Sequence, residues 1–160
     1  MGLDEALAAL ALWPGARWLQ DSGTAYLFVN AAHILGLGLL LGAIVPLDLR
    51  LAGLAFRHVP LAPMASVLVR AAGCGLVLAL LMGLWLFTVR PQDYAANPAF
   101  LCKMGLLLLA LLNVAWQHAG AGWAAARQGG AVAAAVRVRA WLSLGLWLAV
   151  LVAGRWIGFV

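Results

Sequence analysis

AYLFVNAAHILGLGLLLGAIVPL, Ala25 to Leu47, contains no Asp, Glu, Lys or Arg. As a helix rising about 1.5 Å per residue it exceeds the roughly 30 Å of hydrocarbon in a bilayer. Three more apolar stretches follow, Val67 to Val89, Phe100 to His118 and Ala140 to Phe159, each with a single Lys or Arg. Hydrophobic residues make up 66 % of the chain and charged residues 9 %, and the charges gather between the spans. In lipid the backbone must satisfy its own hydrogen bonds, which a helix does within one segment. The expected fold is therefore all-α, an integral membrane four-helix bundle forming a single transmembrane domain over residues 1–160. Four spans leave no room in this length for a soluble catalytic domain.

Before the first span, Leu3 to Gln20 carries Asp4 and Glu5 and then Leu7, Leu10, Leu12 and Trp18, interrupted by Pro14 and Gly15. The acidic start is unlike the basic start of a secretory signal. The segment reads as a short interfacial helix with Trp13 and Trp18 at headgroup level.

Six of the ten basic residues, Arg50, Arg57, Arg70, Arg127, Arg137 and Arg139, border the loops after spans one and three. The other four, Arg17, Arg90, Lys103 and Arg155, share the opposite side with Asp4, Glu5, Asp21 and Asp93. Cytoplasmic loops of membrane proteins are enriched in Lys and Arg, so both arginine-rich loops are expected in the cytoplasm of a bacterial inner membrane, with N- and C-termini periplasmic. The net charge of +5 then reflects topology and contact with anionic lipid; a nucleic-acid partner is not expected.

Cys74 and Cys102 sit inside spans without a C-x-x-C arrangement and read as small packing residues. Gly36, Gly38 and Gly42 in span one, Gly73, Gly75 and Gly83 in span two, and Gly145 and Gly154 in span four are spaced to let helices approach closely. Pro46 is expected to bend or end the first span just before Asp48.

His33 is an ionisable ring deep in a span, a costly placement that marks a candidate functional site. Counting residues as depth puts it about 12 Å below the outer boundary, with Asn30 one turn above on the same face. On that count Lys103 and Arg155 lie about 5 Å down, beside Trp85, and Met82 about 10 Å down. Four readings fit this outer cluster. His33 donates to a carbonyl of a neighbouring helix while the two cations snorkel to the headgroups. A haem b uses His33 as the metal ligand, with Lys103 and Arg155 at its propionates and Met82 available as a second axial ligand. A quinone or other small ligand occupies the cluster, or an ion crosses it. Haem is the expected cofactor, with a quinone as the alternative, and electron transfer the expected role.

His118 lies about 15 Å deeper than His33, too far for both rings to hold one iron. It groups with Gln117, Asp48 and His58, which are expected at headgroup level, with Asp48 pairing Arg50, Arg137 or Arg139. A metal held by His118, His58 and Asp48 is the sharper alternative. Motifs of hydrolases, Walker loops and zinc peptidases are missing, and no pair of carboxylates lies within the spans.

AAHILGLGLLLGAIVPLDLRLAGL from Ala31 to Leu54, YAANPAFLCKM from Tyr94 to Met104, LLNVAWQH ending at His118 and the closing AGRWIGF resemble a bacterial family of small four-helix integral membrane proteins, a domain-of-unknown-function family. The resemblance covers nearly everything after about residue 20. It implies that His33, Asp48, Arg50, Lys103, Asn113, His118 and Arg155 occupy family motif positions. Members often carry Glu three residues before the first-span His, where this chain has Asn30. The alternative to a cofactor protein is a cofactor-free structural or transport-associated subunit of a larger membrane complex, or a homo-oligomer.

Overall fold

The computed structural model describes residues 2–159. The elements are α1 (Leu3–Leu12), α2 (Pro14–Asp21), α3 (Gly23–Ala52), α4 (Leu61–Phe87), α5 (Pro91–Ala96), α6 (Pro98–Ala119), α7 (Ala121–Arg127) and α8 (Ala134–Trp156), followed by a 3-10 turn (Ile157–Phe159). Among the described residues there is no strand. The expected all-α bundle is found, with α3, α4, α6 and α8 as the four helices long and apolar enough to span a bilayer.

Local signals set the helix ends. Ser22 caps α3 by accepting from the Ala25 amide at 3.2 Å, and Asn97 caps α6 through the Phe100 amide at 3.1 Å, with Pro98 in the first helical position. At the other end of α3 Gly53 takes φ +78°, the left-handed conformation glycine adopts without a Cβ clash.

Pro46 does not end the first span; α3 runs through it to Ala52. Asp48 therefore stays inside the helix.

Apolar side chains cover the outside of the bundle as well as its interior. Only 17 % of the most apolar window of α4 is buried, and Leu35, Val67, Leu84, Leu112 and Val152 are all exposed. So much exposed apolar surface is stable only against lipid, and the chain is a multi-pass membrane protein.

The helices associate as two close pairs, α3 with α4 and α6 with α8, joined where α3 packs on α8. In the first pair Gly36 and Gly75 let the backbones meet. A Cβ on Gly36 would lie 2.6 Å from the Ala79 nitrogen, and one on Gly75 2.5 Å from that of Leu40. Such approach maximises van der Waals contact where lipid supplies no hydrophobic drive between helices. Gly38, Gly42, Gly73 and Gly145, grouped with these in the sequence reading, meet nothing within 4 Å. Cys74 and Cys102 are free thiols on the exposed surface rather than core packing residues.

The arginine-rich end is closed by α7, whose Trp123 is 4 % exposed among Leu47, Leu51, Leu61 and Val136. At the terminal end the expected single interfacial helix is two, because Pro14 starts a new helix after an extended Trp13. α2 is strapped to the bundle by Trp85 Nε1 donating to the Gly15 carbonyl (3.0 Å), Gln20 Nε2 to the Val89 carbonyl (3.0 Å) and Trp13 Nε1 to Thr88 Oγ1 (3.1 Å). Trp13 and Trp18 remain about half exposed, suited to the headgroup level.

Candidate functional site

In the terminal half, His33 on α3 faces α4. Its Nδ1 lies 2.8 Å from the Ala79 carbonyl oxygen, and a Cβ on Gly83 would come within 3.0 Å of its ring. A carbonyl only accepts, so Nδ1 carries the proton and the Nε2 lone pair is left free in the neutral ring. This is the interhelical hydrogen bond expected of a non-functional His33, and it also fixes the tautomer a metal-ligating imidazole uses.

The other residues of the outer cluster have separate surroundings. Lys103 packs its methylenes against Gly154 and lies within electrostatic range of His33. The exposed Arg155 sits over the Phe159 ring at 4.6 Å. Met82 packs with Leu19, Ala25, Val29 and Leu86, and the Trp85 indole is committed to Gly15. Asn30 is half-buried.

The arginine-rich half holds a different arrangement. A cavity of about 400 Å³ is lined by residues of α3, α4, α6 and α8 together with Trp123 of α7. α4 and α6 have no extended contact with each other. The cavity reaches the bundle surface at the exposed residues Gly73 on α4 and Ala115 and His118 on α6.

Its polar lining comes from three helices: Asp48 on α3, Asn113, Gln117 and His118 on α6, and Arg139, Ser143 and Trp147 on α8. Asn113 and Gln117 are one turn apart on one face of α6. Their amides donate across to α8, Asn113 to the Arg139 carbonyl (3.0 Å) and Gln117 to the Val136 carbonyl (3.1 Å). Arg139 donates to the Trp116 carbonyl (3.2 Å) and Gln117 Oε1 (3.4 Å), and its guanidinium lies 4.6 Å above the Trp116 ring.

Asp48 is neither solvated nor paired with an arginine. It is 6 % exposed, Ser143 is its polar neighbour, and its Oδ2 has no partner. Of the arginines expected to pair it, Arg50 donates to the Val59 carbonyl at 3.0 Å, Arg139 is engaged as described, and Arg137 lines a separate pocket with Arg50 and Arg57. Asn113 Oδ1 and Trp147 Nε1 are also buried without a partner. One carboxylate oxygen, one amide oxygen and one indole N–H are thus unmatched around one cavity. Each such group costs about 1–3 kcal/mol when sealed from water, so three together in a span are an uncommon expense.

His118 Nδ1 lies 2.8 Å from the Val114 carbonyl, which leaves its Nε2 as an acceptor, and its ring packs 5.1 Å from that of Trp123. Among the described residues no group of three His, Cys, Asp or Glu is placed to hold a metal ion. The triad of His118, His58 and Asp48 is therefore not assembled.

Ser143 and Trp147 carried no mark in the sequence reading. Their signal was the i, i+4 spacing of two hydrogen-bonding residues on one face of a span, matched by Asn113 and Gln117 on α6. No family model matches the chain, and neither a curated protein nor a solved structure matches it.

Proposed function

We propose that the protein is a membrane-embedded binding subunit for a quinone-class molecule, held in the cavity between α4 and α6, and that it serves membrane electron transfer in that capacity. The observation that carries this reading is the set of unmatched atoms: two acceptors, Asp48 Oδ2 and Asn113 Oδ1, and one donor, Trp147 Nε1. A quinol hydroxyl donates to either acceptor and its oxygen accepts from the indole. Those atoms lie just beneath the cavity wall, so the headgroup is gripped after side-chain rotation of Asp48 and Asn113.

Charge favours a neutral head. A fatty acid or phosphate would meet the Asp48 carboxyl, and the Arg139 guanidinium is already committed to Gln117, Trp116 and the Trp116 ring. The cavity's size lies within the range of about 300–1,000 Å³ of small-molecule sites, and the gap between α4 and α6 gives an isoprenoid tail a way out into lipid. In this reading the arginine-rich end faces the cytoplasm of a bacterial inner membrane.

The test is equilibrium binding of a short-tailed quinone and its quinol to the detergent-purified protein, with quinone also measured in organic extracts of freshly purified material. One saturable site is expected, weakened by Trp147→Phe, which keeps the ring and removes the N–H. Absence of both saturable binding and co-purified quinone removes this function.

Haem b near the terminal end is the second reading, favoured by the His33 tautomer. His33 Nε2 would ligate the iron, Lys103 and Arg155 would face the propionates, and the haem would supply one-electron chemistry. Its expected signature is a set of reduced-state absorption bands abolished by His33→Ala and nearly unchanged by His118→Ala. Wild-type protein without such bands after haem supplementation leaves His33 as an interhelical hydrogen-bonding residue.

A further inference from the structure

A second pocket, of about 330 Å³, lies at the arginine-rich end, where α3 finishes and α8 begins. It is lined by Arg50, Arg57 and Arg137 together with Leu51, Gly53 and Val132. Two of the three guanidinium groups are held by one edge. Arg50 Nε donates to the Val59 carbonyl at 3.0 Å and Arg57 Nε to the Gly53 carbonyl, the residue whose left-handed turn closes α3.

Each of these side chains spends one donor on the fold, and among the described residues no hydrogen bond engages the remaining Nη donors of Arg50 and Arg57 or any nitrogen of Arg137. No carboxylate neutralises them. Of the five acids, Asp4, Glu5, Asp21 and Asp93 belong to α1, α2 and α5 at the opposite end, and Asp48 is buried against Ser143. Three cations with no counter-charge repel one another unless an anion joins them. The pocket also sits where a spanning helix stops, which is the depth of lipid phosphates rather than of bulk solvent.

We infer that this pocket binds the phosphate of an anionic phospholipid, with the acyl chains lying along the apolar exterior of the bundle. Planar guanidinium groups presenting paired N–H donors match phosphate oxygens, and Arg50 and Arg57 are pre-oriented by their backbone hydrogen bonds. A bilayer phosphate brings its own apolar tails, and exposed Leu54 and Val138 flank the pocket in sequence on α3's exit and on α8. A free phosphate would have no use for them.

The experiment is titration of delipidated protein in neutral detergent with phosphatidylglycerol or phosphatidylcholine of the same chains, read by native mass spectrometry. Inorganic phosphate serves as competitor. Each arginine near a lipid phosphate is worth roughly fivefold in affinity, so the wild type should prefer phosphatidylglycerol by more than about tenfold. Arg50→Gln/Arg57→Gln/Arg137→Gln should abolish the preference, and Arg70→Gln, whose guanidinium serves its own helix through the Ser66 carbonyl (2.8 Å), should keep it.

Where the triple variant does not fold, Arg137→Gln alone decides, because that side chain makes no hydrogen bond within the described fold; a loss of about fivefold is expected. The inference is overturned if the pocket variants retain the wild-type preference or if Arg70→Gln lowers it equally, which would mean diffuse surface charge. Full competition by millimolar inorganic phosphate overturns the lipid assignment in favour of a free anion site.

Discussion

Asp48→Leu should weaken quinol binding by more than about tenfold while leaving the protein at least as stable as the wild type, gaining about 1–2 kcal/mol. The two effects have one cause. Asp48 Oδ2 is buried without a partner in the unliganded fold, so the carboxyl imposes a penalty that a ligand hydroxyl removes on binding. Leucine fills similar space without a polar atom. The abandoned Ser143 hydroxyl can turn to a carbonyl one turn back in α8, as serines in helices do. The check is unfolding in a graded denaturing detergent alongside quinol titration. Loss of stability together with loss of binding would mean that Asp48 is a structural anchor. Unchanged binding would place the ligand elsewhere.

Gly75→Leu should prevent α3 and α4 from pairing and abolish folded protein, and Gly75→Ala alone should cost about 1–3 kcal/mol. The reason is what a side chain at Gly75 would strike. The Leu40 nitrogen at 2.5 Å and the Gly36 oxygen at 2.8 Å are backbone atoms, which cannot rotate out of the way. Gly36→Ala should behave similarly against Ala79 and Gly75. Gly38→Ala, Gly42→Ala and Gly73→Ala are the controls, since nothing lies within 4 Å of the added methyl. Those three should be neutral or gain up to about 1 kcal/mol from reduced backbone freedom. A Gly75→Ala variant as stable as Gly73→Ala would show that the helices separate more easily than their backbone contacts imply.

The glycines show how far the sequence reaches. Spacing identifies small residues in three spans as packing positions, because lipid-embedded helices need them. It does not say which of them meet a neighbour. Gly36 and Gly75 do, Gly83 makes room for the His33 ring, and Gly38 and Gly42 on the same helix as Gly36 meet nothing. The distinction depends on the rotation of one helix against another, which no single helix encodes.

The candidate site divides in the same way. His33 was conspicuous as a titratable ring in an apolar run, and its hydrogen bond to Ala79 was among the arrangements the sequence allowed. Depth counting also separated it correctly from His118 as a member of another group. The same counting placed Asp48 among solvated headgroup-level residues, since it measures distance along the membrane normal and carries no information on which way a side chain turns. Ser143 and Trp147 drew no notice, because a serine and a tryptophan in a span are ordinary until a carboxyl from another helix is found beside them.

By itself, then, the sequence determined the solvent, the number of spans, the all-α class and the sides on which charges collect. These follow from hydrophobicity summed along the chain and from the need of every buried backbone group for a partner within its own segment. Only the tertiary structure decided that α4 and α6 make no extended contact, that Asp48, Asn113 and Trp147 converge unpaired on the cavity between them, and that three arginines distant in sequence share one pocket. Those outcomes depend on which faces of separate helices meet, and in lipid that choice rests on close-range packing of small residues such as Gly36 and Gly75, whose energies exist only once the helices are in contact.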